Sequence, residues 1–141
     1  MKTSVQNIQE KILKDWSSKP RVARSCRNIF EHFLVTSHSD SKHLTSGSIR
    51  KLMDSETSDL EFIETIRYLS GSISVLSIGF EYINDFDESY EISSEELEIL
   101  ERDGLFIDPD TGNPVDNPED NIFIFFSQSD VIRSLKEDTS E

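Results

Sequence analysis

The sequence predicts an α+β domain: a helical first half, then a small antiparallel sheet with further helix and strand elements behind it. Three observations predict it. Apolar residues recur at three- and four-residue spacing from Val5 to Leu69, as in helices with one buried face. From Ile73 to Tyr82, and again from Ile122 to Phe126, β-branched and aromatic residues take over. Pro20, Gly71, Gly104 and the Pro/Gly/Asn-rich stretch 108–118 stand where the pattern changes. The 141 residues suit one domain over 1–136 with 137–141 as a disordered tail, and nine Phe, three Tyr and one Trp supply a modest core.

Val5, Ile8, Ile12 and Leu13, closed by Trp16, predict a helix over 4–15 with Ser4 as its N-cap, and the SSKP run at 17–20 ends it. A second helix starts at Pro20, whose fixed φ suits a first turn, and runs to 37. Its apolar face is Val22, Ala23, Cys26, Ile29, Phe30, Phe33 and Leu34; Arg21, Arg24, Arg27 and Glu31 lie opposite. After the polar loop 38–43, Thr45 or Ser46 caps a short helix to 54 that buries Leu44, Ile49, Leu52 and Met53. Ser58, with Glu61 three residues on, reads as a capping box for a helix over 58–70. Leu60, Ile63 and Ile66, together with Phe62 and Leu69, are expected to face inward there, and Gly71 is its stop.

A strand over 72–83 follows, with a bulge or bend expected at Gly79, then an acidic turn at 84–89 and a return strand at 90–92. The segment 93–104 opens on a Ser cap and early Glu residues and closes on Gly, which predicts a helix. A short strand near Phe106, a turn-rich loop, the apolar strand Ile122–Phe126 and an amphipathic turn or helix over Ser129–Lys136 complete the chain.

The lone Cys26 cannot form an intramolecular disulfide. Charged residues interrupt the N-terminus where a signal peptide needs an apolar stretch, and no apolar run is long enough for a membrane span. These features predict a cytoplasmic protein. The net charge of −14 is unevenly spread: residues 1–53 carry ten Lys/Arg against four acids, and 54–141 carry four against twenty-four. Either the basic helices lie against the acidic segment, or each half presents its charge to a partner.

The order helix 20–37, short helices 45–54 and 58–70, strand 72–83, turn 84–89 and strand 90–92 resembles the winged-helix (helix-turn-helix) superfamily over residues 20–92. The resemblance rests on element order alone. It implies a third helix seated in the DNA major groove and a wing on the backbone. The matching positions are acidic here: Asp59, Glu61 and Glu64 face only Arg67 on that helix, and the wing tip runs Asn84-Asp85-Phe86-Asp87-Glu88. Carboxylates repel phosphate, so the resemblance points to a winged helix used for protein contacts.

Lys19, Arg21, Arg24, Arg27, Arg50 and Lys51 are the candidate nucleic-acid residues; the three arginines recur every third position and share a helix side. No aromatics are interleaved for base stacking. Phe86, Phe106, Phe123 and Phe125 are the candidate partner-binding residues, because the strand at 122–126 is apolar on both sides. Asp108, Asp110, Asp116 and Glu119 occupy positions 1, 3, 9 and 12 of an EF-hand-like loop, but position 6 is Asn113 and prolines interrupt it. A turn-rich hairpin loop is the plainer reading. His32, His38, His43 and Cys26 do not have zinc spacing. No phosphate loop, nucleophile elbow or metal-hydrolase motif occurs, so no metal, cofactor, small-molecule substrate or enzymatic role is expected.

The expected function is a non-catalytic accessory subunit docking onto protein partners, or onto a second copy, within a nucleic-acid-associated assembly. Bacterial defence and genome maintenance, where small winged-helix subunits occur, are the settings the resemblance implies. The alternatives are a DNA-binding transcriptional regulator using the basic N-terminal helices and an acidic DNA mimic that occupies a basic partner.

Overall fold

Side-chain caps decide where most of the helices begin. In the computed structural model, which describes residues 3–139, helix α1 (Ser4–Asp15) is capped by Thr3, not Ser4. The Thr3 hydroxyl accepts from the Gln6 N–H while Gln6 Oε1 accepts from the Thr3 N–H, so two end donors are satisfied reciprocally. Helix α2 (Pro20–Val35) stops two residues short of expectation because Thr36 is extended. Thr45 caps the short helix α3 (Ser46–Leu52), and Ser58 with Glu61 forms the capping box of α4 (Asp59–Ser70). Strands β1 (Leu76–Ile83) and β2 (Ser89–Glu91) precede α5 (Ser94–Asp103), which has a Ser93/Glu96 capping box and a left-handed Gly104 at its end. Strand β3 (Ile122–Gln128) and helix α6 (Asp130–Thr139) complete an α+β fold. The tail expected from 137 overlaps α6 up to Thr139, and residues 140–141 lie outside the described residues.

The strands form one antiparallel sheet in the order β2-β1-β3. Tyr82 stands opposite Tyr90, and Glu81 opposite Glu91. Strand β1 runs unbroken through Gly79, where a bulge or bend was expected. Glycine is needed there for room: the Phe125 ring lies where a Cβ would be, within 2.7 and 2.9 Å of its two Cε carbons and closer still to Cζ.

The described chain divides into two compact units: the chain up to Ile78 with the chain from Phe126 onward, and Gly79–Phe125. The first unit is helical. Helix α2 packs chiefly on α4 and also meets α1, α3 and α6. Phe30, Phe33, Ile29, Cys26, Ile49, Leu69, Phe126 and Ile132 form its dry center. On α4 the inward face is Phe62, Thr65, Ile66 and Leu69. Leu60 and Ile63, expected inside, are 65% and 46% exposed, because the helical period sets them on the other side. The second unit has a smaller core of Tyr82, Ile92 and Phe106, flanked by Phe80, Leu97, Leu100, Val115 and Ile122. Among the described residues no helix is long and apolar enough to cross a membrane.

Candidate interaction surfaces

The basic side of α2 faces carboxylates. The segment 54–64, which leads from α3 into α4, carries Asp54, Glu56, Asp59, Glu61 and Glu64. Lys19 Nζ lies 2.7 Å from Glu64, Arg21 Nε 3.2 Å from Glu61, and Arg24 Nε 2.9 Å from Asp54. Arg50 reaches Asp59 at 2.8 Å with its guanidinium over the Phe62 ring, and Arg27 pairs within its own helix with Glu31 at 3.7 Å.

Local structure holds these carboxylates in place. The Asp54 N–H donates to the buried Ser25 hydroxyl, and one Asp54 oxygen accepts from the Glu56 N–H. That backbone bond, with Arg24 beside it, holds the Asp54 carboxyl below the usual range. Glu61 is lowered first by the Ser58 N–H, which it accepts as part of the α4 cap, and then by Arg21. Of the six candidate nucleic-acid residues, Lys51 is exposed without an ion pair among the described residues; the other five have carboxylate partners.

With its acids and bases matched, the first unit is neutral in formal charge. The whole net charge of −14 therefore falls on Gly79–Phe125, where fifteen Asp and Glu face the single Arg102. Arg102 itself pairs with the adjacent Asp103. This unit also exposes apolar surface. A groove of about 500 Å³ runs along α5 and β3, floored by Phe80, Leu97, Leu100, Ile122 and Ile124 and edged by Glu101 and Glu119. A smaller cleft of about 120 Å³ is lined by Glu96, Ile99, Leu105, Phe106 and Ile107.

The four candidate partner-binding phenylalanines are scattered. Phe86 is 80% exposed at the tip of the β1–β2 turn, where the Asn84 side chain accepts from the N–H groups of Phe86 and Glu88. Phe123 is half-exposed on β3, and Phe125 is half-buried against Gly79. Phe106 is buried in the small core of the second unit, with its ring edge-on to Tyr82 at 5.0 Å, and also lines the smaller cleft. Sequence reasoning missed the groove. Its signals were Leu97 and Leu100 three apart on a helix and Ile122 and Ile124 two apart on a strand.

The acidic loop after residue 107 is a turn. Asp108 Oδ1 accepts from the N–H groups of Asp110 and Thr111, its other oxygen accepts from the Tyr82 hydroxyl, and Ile107 bridges to Pro114. The Asp110 N–H is the chief reason the Asp108 carboxyl lies low. Among the described residues no three His, Cys, Asp or Glu side chains gather so as to hold a metal ion. Cys26 sits in the core of the first unit, where burial pushes its thiol up to about 12. On α1, Asp15 accepts from the Tyr68 hydroxyl at 2.7 Å, which lowers its carboxyl, and Tyr68 meets Trp16 edge-on. In comparisons with known proteins, no family model, no curated protein and no solved structure matches this chain.

Proposed function

We propose that this protein is a non-catalytic interaction subunit of a nucleic-acid-associated assembly and that it binds a basic protein partner through its second unit. One observation carries the reading: five of the six side chains suited to phosphate are matched with the protein's own carboxylates, while the net charge is concentrated on 47 residues that also expose apolar surface. Exposed ion pairs are weak individually, about 0–1 kcal/mol each. A duplex would nonetheless meet carboxylates among those cations, and the counterion release that drives phosphate binding would be small.

The order α2, α3, α4, β1, β2 is what supports a winged-helix-like reading over residues 20–92. Leu44, between α2 and α3, pairs antiparallel with Phe126 of β3, and β3 lies beside β1. The acidic DNA-mimic reading is favored by the same fifteen carboxylates and differs only in the partner, a DNA-binding protein displaced from its duplex.

Affinity capture of the tagged protein from its native cells, eluted stepwise with salt from nuclease-treated and untreated lysates, tests the proposal. A stoichiometric protein that survives nuclease is expected. Recovery of nucleic acid alone, lost at moderate salt, would overturn the subunit reading in favor of a regulator that uses α2.

A further inference from the structure

The groove along α5 and β3 allows the partner's chemistry to be stated. Its floor is apolar, and one of its residues, Ile124, is 38% exposed. Its edges carry Glu101 and Glu119, and no basic residue lines it. The nearest cation in sequence, Arg102, is paired with Asp103. A volume near 500 Å³ falls in the range of formed ligand sites, about 300–1,000 Å³. We infer that this groove receives a basic amphipathic helix of a protein partner, with apolar side chains on the floor and lysines or arginines on the Glu101 and Glu119 edges.

Charge complementarity selects that occupant. A second copy of this chain would set −14 against −14 at this unit, and an anionic membrane or nucleic acid is repelled in the same way. A helix with apolar residues at i, i+3, i+4 and i+7 fills a groove of this kind through one face while its flanks meet the rim.

The inference rests on the interaction-subunit reading and can fail separately from it. The probe is a synthetic Leu/Lys peptide about four turns long with all leucines on one helical face, titrated into the full chain by calorimetry. Two controls are the same composition scrambled to remove the face and the same face with Glu in place of Lys. Saturable binding of the amphipathic cationic peptide alone is expected. It should weaken at least tenfold in Glu101→Lys with Glu119→Lys, and likewise in Ile124→Asp, while Leu60→Asp on α4 leaves it unchanged. Amide chemical-shift changes on adding peptide should center on Leu97, Leu100 and Ile122, which serves should Ile124→Asp unfold. Equal binding of the scrambled peptide, no binding, or indifference to the rim variant would overturn the inference. If the rim variant still captures the nuclease-resistant cellular partner, the subunit reading stands and the groove assignment falls.

Discussion

Replacing Gly79 by alanine tests how β1 and β3 fit together. Gly79 sits in a strand interior without a left-handed backbone, so alanine there should ordinarily stabilize by about 0.5–1 kcal/mol through lost unfolded-state entropy. The Phe125 ring reverses the sign. A Cβ would stand 2.7 and 2.9 Å from its Cε carbons, far inside van der Waals contact, so ring or strand must shift. Overpacking of this kind costs about 1–3 kcal/mol, which leaves Gly79→Ala destabilizing by roughly 0.5–2 kcal/mol. In a Phe125→Ala background the clash is gone, and Gly79→Ala should become neutral or stabilizing. The double-mutant cycle should therefore show a coupling of about 1–3 kcal/mol. Urea unfolding followed by far-UV circular dichroism, with hydrogen exchange of peptides from 79–125 to assign the transition, measures each corner. A stabilizing Gly79→Ala in the parent protein would refute the argument.

Other perturbations separate surface from core. Leu60→Asp on the exposed side of α4 should change stability by no more than about 0.5 kcal/mol, whereas Phe33→Ala, fully buried in the same unit, should cost about 3–5 kcal/mol by the same urea titration. The Cys26 thiol should resist a thiol reagent in the native protein at pH 8 and react fully in urea; rapid native labeling would contradict its burial. Asp15, Asp54, Glu61 and Asp108 have folded pKa values below their unfolded ones. Their stabilization is complete above the unfolded value near 4 and is lost as pH falls through the folded values. Asp54→Asn with Glu61→Gln should therefore flatten the acid limb of the first unit's stability profile; an unchanged limb would refute this. Raising salt from about 0.02 to about 0.5 M should increase hydrogen-exchange protection across 79–125 by screening carboxylate repulsion, with no such gain in the first unit; the reverse would contradict the charge partition.

The helices were legible because their signals are local. The Ser58 and Ser93 caps and the Gly104 stop each lie within a few residues of what they terminate, and even the misplaced α1 cap obeys the same rule one residue earlier, at Thr3. The inward face of α4 was only partly legible: Ile66, Phe62 and Leu69 lie inward as expected, but Leu60 and Ile63 are as apolar and the pattern alone does not choose between two faces. The sheet was legible as strands but not as pairings. β1 has β2 as its short-range neighbor, as expected, but its other neighbor is β3, some forty residues on, and only the Phe125 ring over Gly79 marks that match. The groove failed to emerge for the same reason: its floor joins a helix and two strands distant in sequence.

Charge shows most clearly how folding regroups sequence. Cut at residue 53, the chain reads as a basic half and an acidic half, yet Asp54, Glu61 and Glu64 pair with Arg24, Arg21 and Lys19, thirty to forty-five residues earlier. Once they are matched, what remains is a neutral helical unit and a 47-residue unit of charge −14. Solubility needs a net charge of only about 2–8 for a small domain, and charge beyond that repels itself within the folded unit. Glu81 directly opposite Glu91 on β1 and β2 is one place where that repulsion falls on the sheet itself. Such a surface gains most when a cation-bearing partner covers it, since binding then relieves repulsion as well as burying the apolar groove. The partner's affinity should accordingly have both a salt-sensitive part, from the rim, and a salt-resistant part, from the floor.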